Sequence, residues 1–371
     1  MHPAVRLVAI DVDGTLLPSS AKQLTARTAR ALRDAQAAGI TVAIATGRRV
    51  AYTAPIFEGL GLRADTPLIT SNGAVVARLD GQAMDHTLMP AEVARGLCGL
   101  LRPFGSMVFT FDKPGRGALV LEDLEQTHGR IALWVEQNRN AIEVVKPMED
   151  ALADGEDPIQ GMVAGPIPKM REAEQALKAS PLAAQCACVR TEYPARDLSI
   201  LDLLPAGISK GTALRRLAAS LGVERAEVMA IGDNFNDVEM LEWAGQSILM
   251  ANAARELRTL AKMRGWKQTP SSDEDGVAVV LEKAIAKVQA ARTEGGADCA
   301  QASAEKAGIT NSELASQELT NSELTNQELA NSERASQELG NSEPTSQKRA
   351  KLELANMGPA NPDATNIEAG D

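Results

Sequence analysis

Apolar residues in the first third of the chain gather in short runs separated by amphipathic stretches. Residues 5–10 are apolar except for Arg6 and stop at the acidic, Gly-containing turn Asp11-Val12-Asp13-Gly14. Thr25 is placed to cap a helix running through Ala38, with Gly39 as its stop, and residues 40–45 form a second run that ends at Thr46-Gly47. Residues 67–70 predict a third strand, stopped by Ser71-Asn72-Gly73. Strands apolar on both faces and separated by helices require a parallel sheet covered on both sides. The expected fold class is therefore α/β, with a doubly wound, mostly parallel sheet.

Between about 85 and 194 the pattern changes. A helix is predicted over 91–101, strands over 106–111, 117–121 and 159–164, a helix over 169–178 and a strand over 186–190. This mixture reads as an inserted α+β domain. The first pattern then resumes with a strand at 198–204, a helix over 210–221, a strand at 228–231 and a helix beginning near Asn236. One domain, residues 1–84 and 195–292, is expected to be interrupted by a second, residues 85–194.

From Asn311 to Ala350 the sequence repeats every ten residues, with Glu at every fifth position from Glu313 to Glu343 and Leu after most of them. A period of five fits neither the helix nor the coiled coil, so these leucines would spiral around a helix and build no seam. Alternating Ser and Gln before the leucines argue against a pentapeptide β-solenoid, whose interior takes small residues. With no aromatic residue from 293 to 371, this low-complexity tail is expected to be disordered.

The 371 residues include 49 acidic and 38 basic side chains, for a formal net charge of -11. Residues 293–371 hold 14 of the acidic and 5 of the basic ones, which leaves 35 and 33 in residues 1–292. A nearly neutral body lacks the basic excess that phosphate contacts along a duplex need, so nucleic acid is not an expected partner. No stretch approaches the roughly 18 to 20 consecutive apolar residues of a bilayer span, and no secretory signal opens the chain. A soluble cytoplasmic protein with no membrane association is expected. Cys98, Cys186, Cys188 and Cys299 are too scattered for a disulfide framework, and His2, His86 and His128 too few for a zinc site. Carboxylates and oxygen-preferring metals remain.

Ligands of open parallel sheets bind beyond the carboxyl ends of the strands. There lie Asp11-Val12-Asp13-Gly14-Thr15, Thr46-Gly47-Arg48 and Gly232-Asp233-Asn234-Phe235-Asn236-Asp237. Taken alone, Asp11 and Asp13 read equally well as a capped turn or as paired catalytic carboxylates, and Thr46 as a helix cap or a phosphate contact. Lys210, at the start of a predicted helix, is either a solvated surface lysine or a positive charge for an anion. Several carboxylates crowding one sheet edge repel one another unless a cation offsets them. Oxygen ligands of this kind suit Mg²⁺, with Asp11, Asp233 and Asp237 as the expected ligands.

The segments DVDGTLL at Asp11, ATGR at Thr46, SKG around Lys210 and GDNFND at Asp233 resemble, in order, the four motifs of haloacid dehalogenase (HAD) superfamily phosphatases. The long insert after the second motif is similar to the type IIB cap of the Cof-like hydrolases. PLITSNGA at Pro67, Asn252-Ala253 and EDGVAVVLEKAI at Glu274 extend the resemblance, which covers residues 5 to about 290. Ala251 and Ser272 depart from the residues common in relatives, outside the four motifs.

The resemblance implies a HAD-like core and a Mg²⁺-dependent phosphomonoester hydrolase acting on a small phosphorylated metabolite. Within the family's range are sugar phosphates, nucleotides, flavin mononucleotide and pyridoxal phosphate. Asp11 would be the nucleophile that carries the phosphoryl group, and Asp13 the general acid and then base. Lys210, Thr46 and Gly47 would contact phosphate, and Asp11, Asp13, Asp233, Asn236 and Asp237 would form the metal site. Asn72 and Arg48 are candidates for substrate contact or for bracing the hinge or loop. Lys113, Arg116 and Arg196 of the insert are either substrate contacts or solvated charges. Two alternatives stay open: a phosphomutase of similar architecture, and an interaction protein whose acidic repeats recruit a protein partner.

Overall fold

The computed structural model describes all residues except 1–2, 19–20, 22, 112–117, 123–134, 137, 154 and 308–371; of residues 294–307 it describes the backbone alone. The repeats, Lys113, Arg116, His2, His128 and the side chain of Cys299 therefore lie outside the described residues.

Two sheets organise the described residues. The first has eight strands in the order β14-β13-β12-β1-β2-β3-β4-β5. Its centre is β1 (Leu7–Asp11), flanked in parallel by β2 (Thr41–Ala45) and β12 (Val228–Gly232). β3 (Pro67–Thr70) continues the parallel set on one side. β13 (Gln246–Met250) and β14 (Lys267–Thr269) continue it on the other. β4 (Val75–Arg78) and β5 (Ala83–His86) close one edge antiparallel.

Strand alternation divides the core of this sheet in two. Val8, Ile10, Val42 and Ile44 pack against Leu32 and Ala35 of helix α1 (Ala26–Ala37) and Val277 and Leu281 of the C-terminal helix. Leu7, Ala9, Ala43 and Ala45 pack on the opposite side, with Leu214 and Leu217. The expected cap forms: the Thr25 side chain accepts from Thr28 N, and Gly39 takes φ +82° just past the helix.

The second sheet runs β10-β11-β9-β6-β7-β8. It comprises β6 (Met107–Thr110), β7 (Leu119–Leu121), β8 (Ile142–Val144), β9 (Gln160–Gly165), β10 (Cys186–Tyr193) and β11 (Leu198–Pro205). All neighbours are antiparallel except β7 and β8. One core, with Phe109, Val163, Leu201 and Leu203, includes residues of helices α3 (Ala91–Leu101) and α4 (Ile167–Lys178).

Residues 198–204 were expected to return to the first sheet, yet β11 pairs with β9 and β10 in the second. A strand buried on both faces has the same apolar pattern in the middle of either sheet, so pattern alone does not name its partners. The chain re-enters the first sheet's layers at helix α5 (Lys210–Ser220).

Helix α2 (Val50–Phe57) follows β2, and helices α6 (Val238–Trp243) and α7 (Arg255–Arg264) follow β12 and β13. Residues Met1–Thr293 form one compact unit. Helix α8 is Gly276–Ala307, so helical backbone continues beyond the point where the tail was expected to begin. Ala, which fills five of the eleven positions 297–307, favours helix. Among the described residues no helix is long and apolar enough to cross a membrane.

Candidate active site

Asp11 ends β1 and is 4% exposed. Gly14 turns the chain immediately afterwards with φ +87°. A Cβ at Gly14 would stand 2.4 Å from Asp233 Oδ2, so both backbone freedom and close approach require glycine there.

Lys210 begins α5, whose N-terminus is closed by a capping box between Ser209 and Thr212. Its side chain is fully buried, and Nζ donates to Asp11 Oδ1 at 2.6 Å and to Asp237 Oδ1 at 2.8 Å. Burial alone would lower the Lys210 pKa, but the Asp11 and Asp237 carboxylates outweigh it and hold the group above its ordinary value. Asp237 Oδ2 accepts from the backbone N–H groups of Asp233 and Asn234, both at 3.0 Å. Asp237 thus shapes the loop after β12 as well as pairing with lysine.

Asp233 Oδ1 accepts from Thr15 Oγ1 at 2.9 Å, which ties the loops after β1 and β12 together. Asn252 Nδ2 reaches Gly14 O at 2.8 Å and Asp233 Oδ2 at 3.3 Å. Asn252 is held in turn by the backbone N–H of Ser272 at 3.1 Å. The Ser272 departure costs this contact nothing, because a backbone group makes it; Ala251 lies in the turn after β13.

Asp11, Asp233 and Asp237 each offer a carboxylate oxygen, all within 4.8 Å of one another. Burial, then the neighbouring Asp237 charge, pushes Asp11 above the ordinary carboxylate range. Burial, then the charges of Asp11 and Asp237, does the same to Asp233. One lysine does not neutralise this cluster, and oxygen donors in such an arrangement fit a hard divalent cation.

Asp13 is half-exposed and gripped by Arg48, whose Nη2 and Nε donate to its two oxygens at 2.5 and 2.8 Å. Thr46 is fully buried; its N–H is spent on Ile69 O at 2.8 Å, and its Oγ1 accepts from Arg48 N at 3.1 Å. The neighbouring Gly47 lines a cavity of about 310 Å³ that also opens on Asp11, Asp13 and Asn236.

A matching family model, that of the haloacid dehalogenase-like hydrolases, covers residues 8–281. The chain belongs to that family. A 5-amino-6-(5-phospho-D-ribitylamino)uracil phosphatase of Bacillus subtilis is 28% identical over 298 residues, 76% of this chain and 98% of its own. An HMP-PP phosphatase of Serratia proteamaculans is 29% identical over 257 residues, 69% of this chain and 87% of its own. A solved haloacid dehalogenase-like hydrolase from Bacteroides thetaiotaomicron matches with TM-score 0.60 and 27% identity over 75% of this chain and 99% of that one. The chain is a phosphatase of the Cof-like group, as its motifs led us to expect.

In this HAD phosphatase Asn72 is fully buried at φ 52°, the left-handed conformation anticipated for a turn. Its Nδ2 donates to Asp202 Oδ2 at 2.9 Å, and its Oδ1 accepts from Asn236 Nδ2 at 3.2 Å. Asn72 therefore braces contacts between the two sheets. Asn236 Oδ1 is buried without a partner among the described residues. Arg196 is exposed in the turn Pro194–Arg196 and does not line the cavity.

Sequence reasoning missed Asp202 and Tyr193, which line the cavity from β11 and β10. The signal for Asp202 was present: one acid inside the apolar run Leu198–Pro205, where an unpartnered charge is rare.

Proposed function

We propose that this HAD phosphatase is a Mg²⁺-dependent phosphomonoester hydrolase that works through an aspartyl-phosphate on Asp11. The observation that carries the reading is a buried strand-end carboxylate, held by Lys210 at 2.6 Å, opening on a cavity of about 310 Å³. An Asp11 oxygen attacks phosphorus while the leaving alcohol takes a proton from Asp13. Water then attacks the aspartyl-phosphate and gives its proton to Asp13, releasing inorganic phosphate.

Arg48 orients Asp13 through its two-pronged contact. The Thr46 hydroxyl accepts from Arg48 N and keeps its own hydrogen to donate to a phosphoryl oxygen, beside the Gly47 N–H. Asp11, Asp233 and Asp237, with the Asp13 backbone carbonyl and Asn236 nearby, would hold Mg²⁺, which when bound offsets charge on the phosphoryl oxygens. The substrate is a small phosphorylated metabolite, in keeping with the curated relatives.

Phosphate release from a panel of phosphomonoesters, with Mg²⁺ and with chelator, tests the reading. Release should need Mg²⁺ and fall at least about a thousandfold in Asp11→Asn. An Asp11→Asn protein with full turnover would sink the proposal, and phosphoryl transfer to a sugar acceptor in preference to water would mark a mutase.

A further inference from the structure

One face of the second sheet forms the roof of the cavity. The register places Thr191 opposite Ile200, Asp202 opposite Met162, Met162 opposite Val108 and Gln160 opposite Thr110. Directly paired residues share a face, and all of these line the cavity. Among the described roof residues Asp202 is the sole charged one. It is 8% exposed; Oδ2 is taken by Asn72, and Oδ1 has no hydrogen-bond partner among the described residues. Gln160, 6% exposed, likewise has its Oε1 without a partner among the described residues. The roof thus combines apolar surface with spare acceptors.

Charge balance sharpens this. Asp11, Asp13, Asp202, Asp233 and Asp237 face Lys210, Arg48 and Arg49 at or directly behind the cavity wall. The two-charge excess of carboxylates is what one divalent cation offsets. Arg48 is already committed to Asp13, and the Arg49 guanidinium lies over the Tyr52 ring at 4.7 Å. An incoming phosphomonoester adds its own negative charge at the floor, and no roof cation among the described residues awaits a second anion. The cavity volume, about 310 Å³, is at the small end of ligand sites.

We propose that Asp202 is a specificity residue: it favours phosphomonoesters whose small, uncharged leaving group presents hydrogen-bond donors to the roof, and it rejects those carrying a second anionic group. This rests on the phosphatase reading above. A carboxylate brought beside Asp202 meets like charge in a poorly solvated wall, whereas a hydroxyl or N–H satisfies a buried acceptor.

The matched pair glycerol 3-phosphate and 3-phosphoglycerate differs in donor hydroxyl against carboxylate. Full-length protein with Mg²⁺ at pH 8 should show at least tenfold higher kcat/KM for glycerol 3-phosphate. Asp202→Asn, which keeps an oxygen for Asn72, should narrow that ratio at least fivefold, chiefly through a lower KM for 3-phosphoglycerate. A thermal melt confirms that the variant is folded, and Asp202→Ser, also uncharged, should narrow the ratio likewise. Should neither compound turn over, their inhibition constants against p-nitrophenyl phosphate hydrolysis should show the same ratios. A wild-type ratio near one, or one unmoved by both substitutions, overturns the proposal for Asp202 and leaves the hydrolase reading intact. Absence of turnover on every phosphomonoester removes the hydrolase reading and the specificity proposal with it.

Discussion

Asn72 Nδ2 donates to Asp202 Oδ2 at 2.9 Å, joining the turn after β3 of the first sheet to an inner strand of the second. Burial raises the Asp202 carboxyl to about 7, with Asn72 and Lys210 opposing the shift. The folded protein therefore binds this proton more tightly than the unfolded chain. The Asp202 contribution to stability is largest below the ordinary carboxylate pKa and is lost as pH rises towards about 7. Asp202→Asn keeps the acceptor without the charge. We expect it to melt about 2–4 °C above the parent at pH 8 and to match it near pH 4. Melting curves across that range check this, and an equal difference at both ends would contradict it.

Lys210 is the buried cation between Asp11 and Asp237. Lys210→Met leaves both carboxylates unpaired and should cost about 3–5 kcal/mol of stability in chelator. Urea unfolding with added Mg²⁺ should show a smaller loss, because a divalent ion offsets the same charges. A loss under about 1 kcal/mol in both conditions would deny the pair its structural role.

Gly14→Ala introduces a Cβ 2.4 Å from Asp233 Oδ2 at a backbone φ of +87°. Either the turn or Asp233 must move. The expected outcome is a Mg²⁺ activation midpoint raised roughly 10- to 100-fold, in the range seen when the support of a metal ligand is lost. Activity titrated against Mg²⁺ reads this directly, and an unchanged midpoint would show that the loop relaxes without disturbing Asp233.

Arg48 and Asp13 are more than a third exposed, so their ion pair adds less than about 1 kcal/mol to stability. Its geometric role should be larger. Arg48→Ala is expected to lower kcat roughly 10- to 100-fold with a nearly unchanged melting temperature, since misplacement of a catalytic group is costly. Arg48→Lys should recover little, because one ammonium does not reproduce the contact to both oxygens. Equal kcat values for all three proteins would remove Arg48 from the account.

The ends of β1, β2 and β12 were legible because strand, turn and chemistry are contiguous there: Asp11, Thr46 and Asp233 each follow an apolar run directly. Asp202 was not legible as a site residue, because its role depends on which sheet β11 joins, and pairing with β9 and β10 is non-local. β14 escaped for another reason. Its Lys267 and Gln268 are exposed at the sheet edge and show no apolar run. Asn252 and Ser272 could be named as motif residues, but their support of Asp233 appears only once the loops after β1, β13 and β14 meet.

The most direct test of the central claim is rapid-quench mass spectrometry of the protein mixed with Mg²⁺ and its best substrate. One phosphoryl group is expected on the peptide containing Asp11, formed and lost at rates compatible with turnover, and absent from Asp11→Asn. A phosphoryl group on another residue, or turnover with Asp11 never modified, would contradict it.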